Sequence, residues 1–257
     1  MTKQKLTDFF ENYWGKEFLS DWAVKDEFMV NGLQVEGKET IKKVALGVSL
    51  NYEFLNQAVA WGADACVFHH AFKIDFPGQK LPLVFTRRLG LVLENELNIY
   101  GFHGVMDGHP RFGHAALALK NLGAKIKGSI DAGWGAYGDL SRPTTLASLN
   151  SSCRRFFNHE IAVAGAPLAK VHRIAVVSGG GSPAPALLAD LLAKKVDLYL
   201  SGEIKEWLPH QFAEAGLAYF VCGHYATERP GVLVLADALK KSFPSLGVKF
   251  IEVPNIF

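Results

Sequence analysis

The sequence predicts an α/β protein of two intertwined βαβαβ lobes, residues 1–124 and 125–257, packed as one unit. The sheets are expected to be mainly parallel, with a metal site between the lobes at the carboxyl ends of the strands. Three observations predict this. Short apolar runs alternate with helical periodicity twice along the chain, the pattern of parallel strands joined by crossover helices. A Gly-rich stretch of different texture, 125–171, separates the two runs. Finally, the third strand of each half leads into His-x-x-x-carboxylate: His103 with Asp107, and His224 with Glu228.

In chain order, Leu6, Phe9, Phe10, Tyr13 and Trp14 recur at i, i+3, i+4, i+7 and i+8, an amphipathic helix stopped by Gly15. Asn31-Gly32-Leu33-Gln34-Val35-Glu36-Gly37 reads as a turn-rich segment. The first half then runs strand 44–48, helix 52–61, strand 65–68, helix 83–97 and strand 99–102, followed by a helix over 114–122 closed by Gly123. Within 125–171, Leu146, Leu149, Cys153, Phe156 and Phe157 share one helical face. The second half repeats the first: strand 173–177, helix 185–194, strand 198–200, helix 206–215, strand 219–222, helix 231–241 and strand 248–253.

Composition narrows the function classes. A hydrophobic share of 49% over 257 residues builds a sizeable core and argues against disorder. The net charge of +2 gives no electrostatic reason to expect nucleic acid or an anionic membrane as partner. Cys66, Cys153 and Cys222 form no C-x-x-C pair, so neither a disulfide framework nor a cysteine zinc site is indicated. No apolar run approaches the ~20 residues of a membrane span, and a soluble cytoplasmic protein is expected.

The chemistry gathers at strand ends. Phe220-Val221-Cys222-Gly223-His224 runs an apolar strand into an imidazole, and Glu228 follows four residues on. Imidazole with carboxylate suits zinc, iron, nickel or manganese, whereas the competing reading is a helix N-terminus with an acidic first turn. His69-His70 ends the strand 65–68, and Glu203 ends the strand 198–200. Neighbouring strand side chains point to opposite faces, so one ion takes both histidines only where the strand has ended, and two ions take one each. One core histidine beside one surface histidine competes with that reading. Ser178-Gly179-Gly180-Gly181-Ser182 lies between a strand and a helix, as either a phosphate cradle or a bare turn. Lys205 and Arg229 are candidates for holding an anionic substrate, or plain surface charges. Cys222 reads as a buried inert thiol, and the absence of a G-x-S-x-G elbow leaves Ser-His-Asp hydrolysis without support.

These residues resemble the Nif-three-like dinuclear-metal family, whose members are often labelled homologues of a type-two GTP cyclohydrolase. The resemblance runs nearly end to end. It rests on Asn31 to Gly37, Gly62-Ala63-Asp64-Ala65 through His69-His70, Ile99 to His103 with Asp107-Gly108-His109-Pro110, Gly202-Glu203-Ile204, and Gly223 to Arg229. It implies metal ligands at His69, His70, Asp107, His224 and Glu228, two divalent transition-metal ions (Fe, Zn, Mn or Ni) with bridging carboxylates, and a ring-shaped homohexamer. The chain departs from the family pattern at Gly104-Val105-Met106 and Gly113-His114. The expected activity is a metal-dependent hydrolase, GTP cyclohydrolase-like or phosphoesterase-like, acting on a small molecule such as a nucleotide. His103 and Glu203 are the expected catalytic proton carriers. The alternatives are a non-catalytic metal-binding or metallochaperone protein and a regulatory scaffold.

Overall fold

The two alternating stretches form two separate sheets in the computed structural model, which describes residues 1–26, 29–74, 80–253 and 255. The chain divides into two compact units, one of Met1–Met106 with Val232–Pro254, the other of Asp107–Gly231 with Asn255–Phe257.

In the first unit, α1 (Lys3–Trp14) is capped by Thr2, whose hydroxyl accepts from Lys5 N at 3.2 Å, and buries Leu6, Phe10 and Trp14. Phe10 packs on Tyr100 and Phe102 at ring centroid distances of 5.0 and 4.8 Å. Each such large apolar side chain contributes ~1.5–3 kcal/mol on burial. A second helix, α2 (Lys16–Lys25), follows directly and buries Trp22. The sheet comprises β1 (Asn31–Val35), β2 (Lys43–Ser49), β3 (Ala65–His70), β4 (Asn98–Phe102) and β11 (Gly247–Phe250), in the order β1-β4-β3-β2-β11. The β2, β3, β4 and β11 strands pair in parallel, and β1 is an antiparallel edge. The connecting helices are α3 (Tyr52–Trp61), capped by Asn51, and α4 (Leu83–Glu94). Each stands between consecutive parallel strands, as crossover geometry requires.

In the second unit, β5 (Ala124–Ile130), β6 (Gly135–Thr144), β7 (Ala162–Gly165), β8 (Val171–Val177), β9 (Leu198–Ser201) and β10 (Ala218–Val221) lie in the order β5-β6-β8-β9-β10-β7. The β8, β9 and β10 strands are parallel, and β5, β6 and β7 pair antiparallel on the flanks. Alternate strand residues enter two apolar cores. Ile174, Val176, Leu198, Leu200 and Phe220 join one, while Ala175, Val177, Tyr199 and Tyr219 join the other. Both faces are therefore covered, which is why these strands read as continuous apolar runs. The helices of this unit are the end of α5 (Gly104–Gly108), α6 (His114–Asn121), α7 (Leu146–Phe157), α8 (Pro185–Ala193), α9 (Leu208–Glu214) and the start of α10 (His224–Ser242). No helix among the described residues is long and apolar enough to cross a membrane.

Four features differ from the sequence expectation. The division at residue 124 does not match the units, because β11 pairs with β2 and returns the end of the chain to the first sheet, while Asp107 to Leu122 fold with the second. The turn-rich Asn31 to Gly37 contains the edge strand β1. It is held by Gln34, whose Nε2 donates to Phe72 O at 2.5 Å and whose Oε1 accepts from Phe72 N at 2.9 Å. That amide pairing imitates a ladder rung that local sequence does not signal. The stretch 125–171 holds three strands whose glycines interrupt the apolar pattern. Lastly, α10 begins at His224 and runs through Pro230, although Pro-Gly reads as punctuation. The N–H of Gly231 donates to His114 Nδ1 at 3.1 Å, giving this backbone group a partner from α6.

Candidate metal centre

The first unit brings three imidazoles together. His69 and His70 end β3, and His103 follows β4. Their ligand atoms lie within 4.8 Å of one another. The pleat predicts that neighbouring histidines diverge. Instead the His69 and His70 rings approach to 4.4 Å between centroids, and His103 stacks on His69 at 4.8 Å. Each ring is tethered through Nδ1. His69, fully buried, donates from Nδ1 to Phe102 O at 3.2 Å. His70 Nδ1 meets Ser49 Oγ at 3.0 Å. His103 Nδ1 meets Asp26 Oδ2 at 2.7 Å, and the same oxygen accepts from Gly104 N at 2.9 Å. A histidine held at Nδ1 by a carbonyl or carboxylate keeps the lone pair of Nε2 for a metal or a proton.

Asp26 is the residue of this cluster that the sequence did not reveal. It lies 77 positions from His103, so no spacing connects them. Gly104 makes the approach feasible: a Cβ there would lie 2.1 Å from the Trp22 ring and 3.0 Å from Asp26 Oδ2.

The second unit supplies carboxylates and a fourth imidazole. Asp107 is buried on α5 and accepts from Ser178 Oγ at 2.7 Å. His224 opens α10, and Glu228 stands one turn on, an i, i+4 pair on one helical face. His224 Nδ1 meets Glu203 Oε1 at 2.5 Å, and Nε2 meets Glu228 Oε1 at 3.0 Å. The hydrogen bond to Glu228 is the main cause that lifts the His224 pKa to about 9; burial opposes it and Glu203 adds to it. In the absence of a metal the ring thus holds a proton that a ligating ion must displace.

The glycine turn acquires a reason here. Gly179 has φ +57°, and a Cβ on it would lie 2.0 Å from Glu228 Oε1 and 2.9 Å from His224 Nε2. Its N–H donates to Thr227 Oγ1 at 2.9 Å. The turn is a backbone wall laid against the His224–Glu228 pair, and only glycine leaves room for them.

Lys205 is exposed and sits over the Trp207 ring at 5.5 Å. Arg229 is half-buried on α10. Cys222 is fully buried, and desolvation pushes its thiol well above the ordinary range, in keeping with an inert side chain. Two further histidines, to which the sequence reading gave no role, belong to this unit. His114 Nδ1 accepts from Gly231 N, so its neutral ring carries the proton on Nε2 and acts as a donor; one of its nitrogens lies within 4.8 Å of an Asp107 oxygen. His109 Nδ1 accepts from Arg111 N and Phe112 N at 3.2 and 3.1 Å. Burial, with Arg111 adding to it, lowers its pKa to about 4 and keeps it neutral.

The donor chemistry therefore fits divalent transition metals: imidazole nitrogens in the first unit, imidazole nitrogen and carboxylate oxygens in the second, every imidazole named as a ligand being oriented by a second group.

The chain is similar to known proteins over nearly its whole length. A model of the Duf34/NIF3 family (NGG1p interacting factor 3) matches residues 1–256. A Salmonella typhimurium protein named GTP cyclohydrolase 1 type 2 homolog is 34% identical over 92% of this chain and 94% of its own. Its Escherichia coli K12 namesake is 34% identical over 93% and 95%. Among solved structures, one titled protein ybgI, unknown function, superposes with a TM-score of 0.87 at 30% identity over 100% of both chains. A Thermus thermophilus protein superposes with a TM-score of 0.83 at 26% identity, also over 100% of both.

Proposed function

We propose that this chain, which belongs to the Duf34/NIF3 family, is a metal-dependent hydrolase that works with two divalent transition-metal ions drawn from iron, zinc, manganese and nickel. Its proposed ligands are His69, His70, Asp107, His224 and Glu228. The observation that carries this reading is the tethering of four imidazoles through Nδ1, to Phe102 O, Ser49 Oγ, Asp26 and Glu203. Carboxylate and carbonyl partners behind a histidine are the usual outer layer of a metal site, because they fix tautomer and ring orientation.

Bound ions of this kind polarise a carbonyl or phosphoryl oxygen and lower the pKa of water. The chain's own residues do the rest. His69, His70 and His224 present Nε2. Asp107 and Glu228 bring negative charge to offset two close cations, and Ser178 orients Asp107 through its hydroxyl. His103, held at Nδ1 by Asp26, accepts a proton at Nε2. Glu203 takes or returns the proton at His224 Nδ1. A nucleotide or small phosphoester substrate, a cytoplasmic location and a homohexameric ring complete the proposal. The names of the relatives support the first.

Five mixed ligands exceed what one tetrahedral ion with an open position uses, so about two ions per chain are expected. Elemental analysis after metal-replete expression, followed by a turnover screen over nucleotides and phosphoesters with and without chelator, tests the reading. A metal content near zero sinks it, and full metal content with no turnover refutes the hydrolase part.

A further inference from the structure

A cavity of about 370 Å³ opens beside His70 in the first unit. Ser49, the last residue of β2, and His70, the last of β3, stand in its wall. It thus lies at the carboxyl end of parallel strands, where open α/β sheets take their ligands. Its size is at the lower end of the ~300–1,000 Å³ typical of small-molecule sites. Phe72 and Phe85 give it an apolar wall, their rings meeting edge to face at 5.0 Å. Lys73 and Arg88 line it as well, and among the described residues no Asp or Glu does. Arg88 is braced by Nη1 donating to Leu50 O at 3.2 Å, while its buried Nε–H has no hydrogen-bond partner among the described residues. A buried donor left unmatched is destabilising, and an anionic oxygen is the partner that guanidinium geometry suits best. A larger cavity of about 400 Å³, between α1, α2 and β1, lacks these features: none of the proposed ligands lines it, and its Lys16 is already paired with Glu11 at 3.0 Å.

We propose that the cavity beside His70 is the substrate pocket, and that the substrate joins one compact planar ring to one phosphate or carboxylate group. The ring lies against Phe72 and Phe85, the anion meets Arg88, and the reacting end faces His70. The word substrate rests on the hydrolase reading; the binding site does not.

The test uses the full chain stripped of metal by chelator, titrated by calorimetry with phenyl phosphate, benzoate, phenol and inorganic phosphate. Phenyl phosphate or benzoate is expected to bind at least tenfold more tightly than phenol and inorganic phosphate, and the better of the two identifies the anion. Arg88→Gln is expected to weaken that binding tenfold or more, and Arg88→Lys to restore part of it. Phe85→Leu, which keeps the apolar volume, should weaken the ring-bearing probes and spare inorganic phosphate. Ring-bearing probes that bind no better than inorganic phosphate, or an Arg88→Gln protein that binds them with wild-type affinity, overturn the pocket. Metal content measured on the same preparations before the chelator is added separates the two ideas. Full metal with no probe binding refutes the pocket alone, and probe binding by a chain that never takes up metal refutes the hydrolase reading alone.

Discussion

Replacing Gly179 by alanine should damage the His224–Glu228 pair more than any contact of the turn itself. The new Cβ would stand 2.0 Å from Glu228 Oε1 and 2.9 Å from His224 Nε2, at a backbone φ of +57°. Holding a non-glycine residue in the left-handed region costs about 1–2 kcal/mol. Glu228 is only 3% exposed and has to move, so its charge-assisted contact with His224 weakens, at a cost of about 1.5 kcal/mol. Together these make about 3 kcal/mol, a fall in melting temperature of about 6–12 °C for a chain of this size. Gly180→Ala is the control. Its Cβ would meet His224 Cε1 at 3.7 Å and Glu203 Oε2 at 4.0 Å, ordinary contacts, with φ outside the left-handed region. That substitution should be neutral or stabilise by up to about 0.5 kcal/mol. Denaturant unfolding in chelator gives the stability difference, and elemental analysis gives the metal retained. If Gly179→Ala unfolds with the wild type and keeps full metal, or if Gly180→Ala is equally harmful, the account of the turn is wrong.

Three further outcomes are expected. The metal-free chain should lose stability between pH 6.5 and 9, because the folded His224 pKa is raised to about 9. Its contribution is fully present below the ordinary value and disappears as pH rises through the raised one. Metal affinity should run the opposite way, rising by up to about tenfold per pH unit as that proton becomes easier to displace; Glu228→Gln should flatten both profiles, followed by denaturation and chelator competition. Asp26→Asn should cost about 1–3 kcal/mol, since the buried carboxylate serves both His103 and Gly104 N, and nitrogen NMR of His103 should show a changed tautomer balance; an unchanged ring spectrum would remove Asp26 from the proton path. His70→Ala and His224→Ala should each deplete metal while circular dichroism stays native, because apolar cores hold the sheets. Unfolding of both variants would make the metal structural.

What the sequence determined by itself follows from what is local. Parallel strands buried on both faces, such as 65–68 and 219–222, are short apolar runs whatever surrounds them. Their carboxyl ends are then readable positions, which is how His69, His70, His103, Asp107, Glu203, His224 and Glu228 stood out. Tertiary structure alone decided the rest. Asp26 reaches His103 across 77 residues, and Gln34 reaches Phe72 across 38. The flanking strands β5, β6 and β7 carry glycines and mixed polarity; β5 and β7 have a partner on one side only, and the pattern of all three depends on which neighbour covers them. The C-terminal strand β11 joined the first sheet because pairing with β2 completes that sheet's edge, and apolar character alone does not say which edge a strand will take. The glycine turn after β8 reads in sequence as either a phosphate cradle or a bare turn, and only the packed chain sets Glu228 against it. Propensity and apolar periodicity act through neighbouring residues, whereas hydrogen-bond partners and close backbone approaches depend on distances that exist only once the chain has packed.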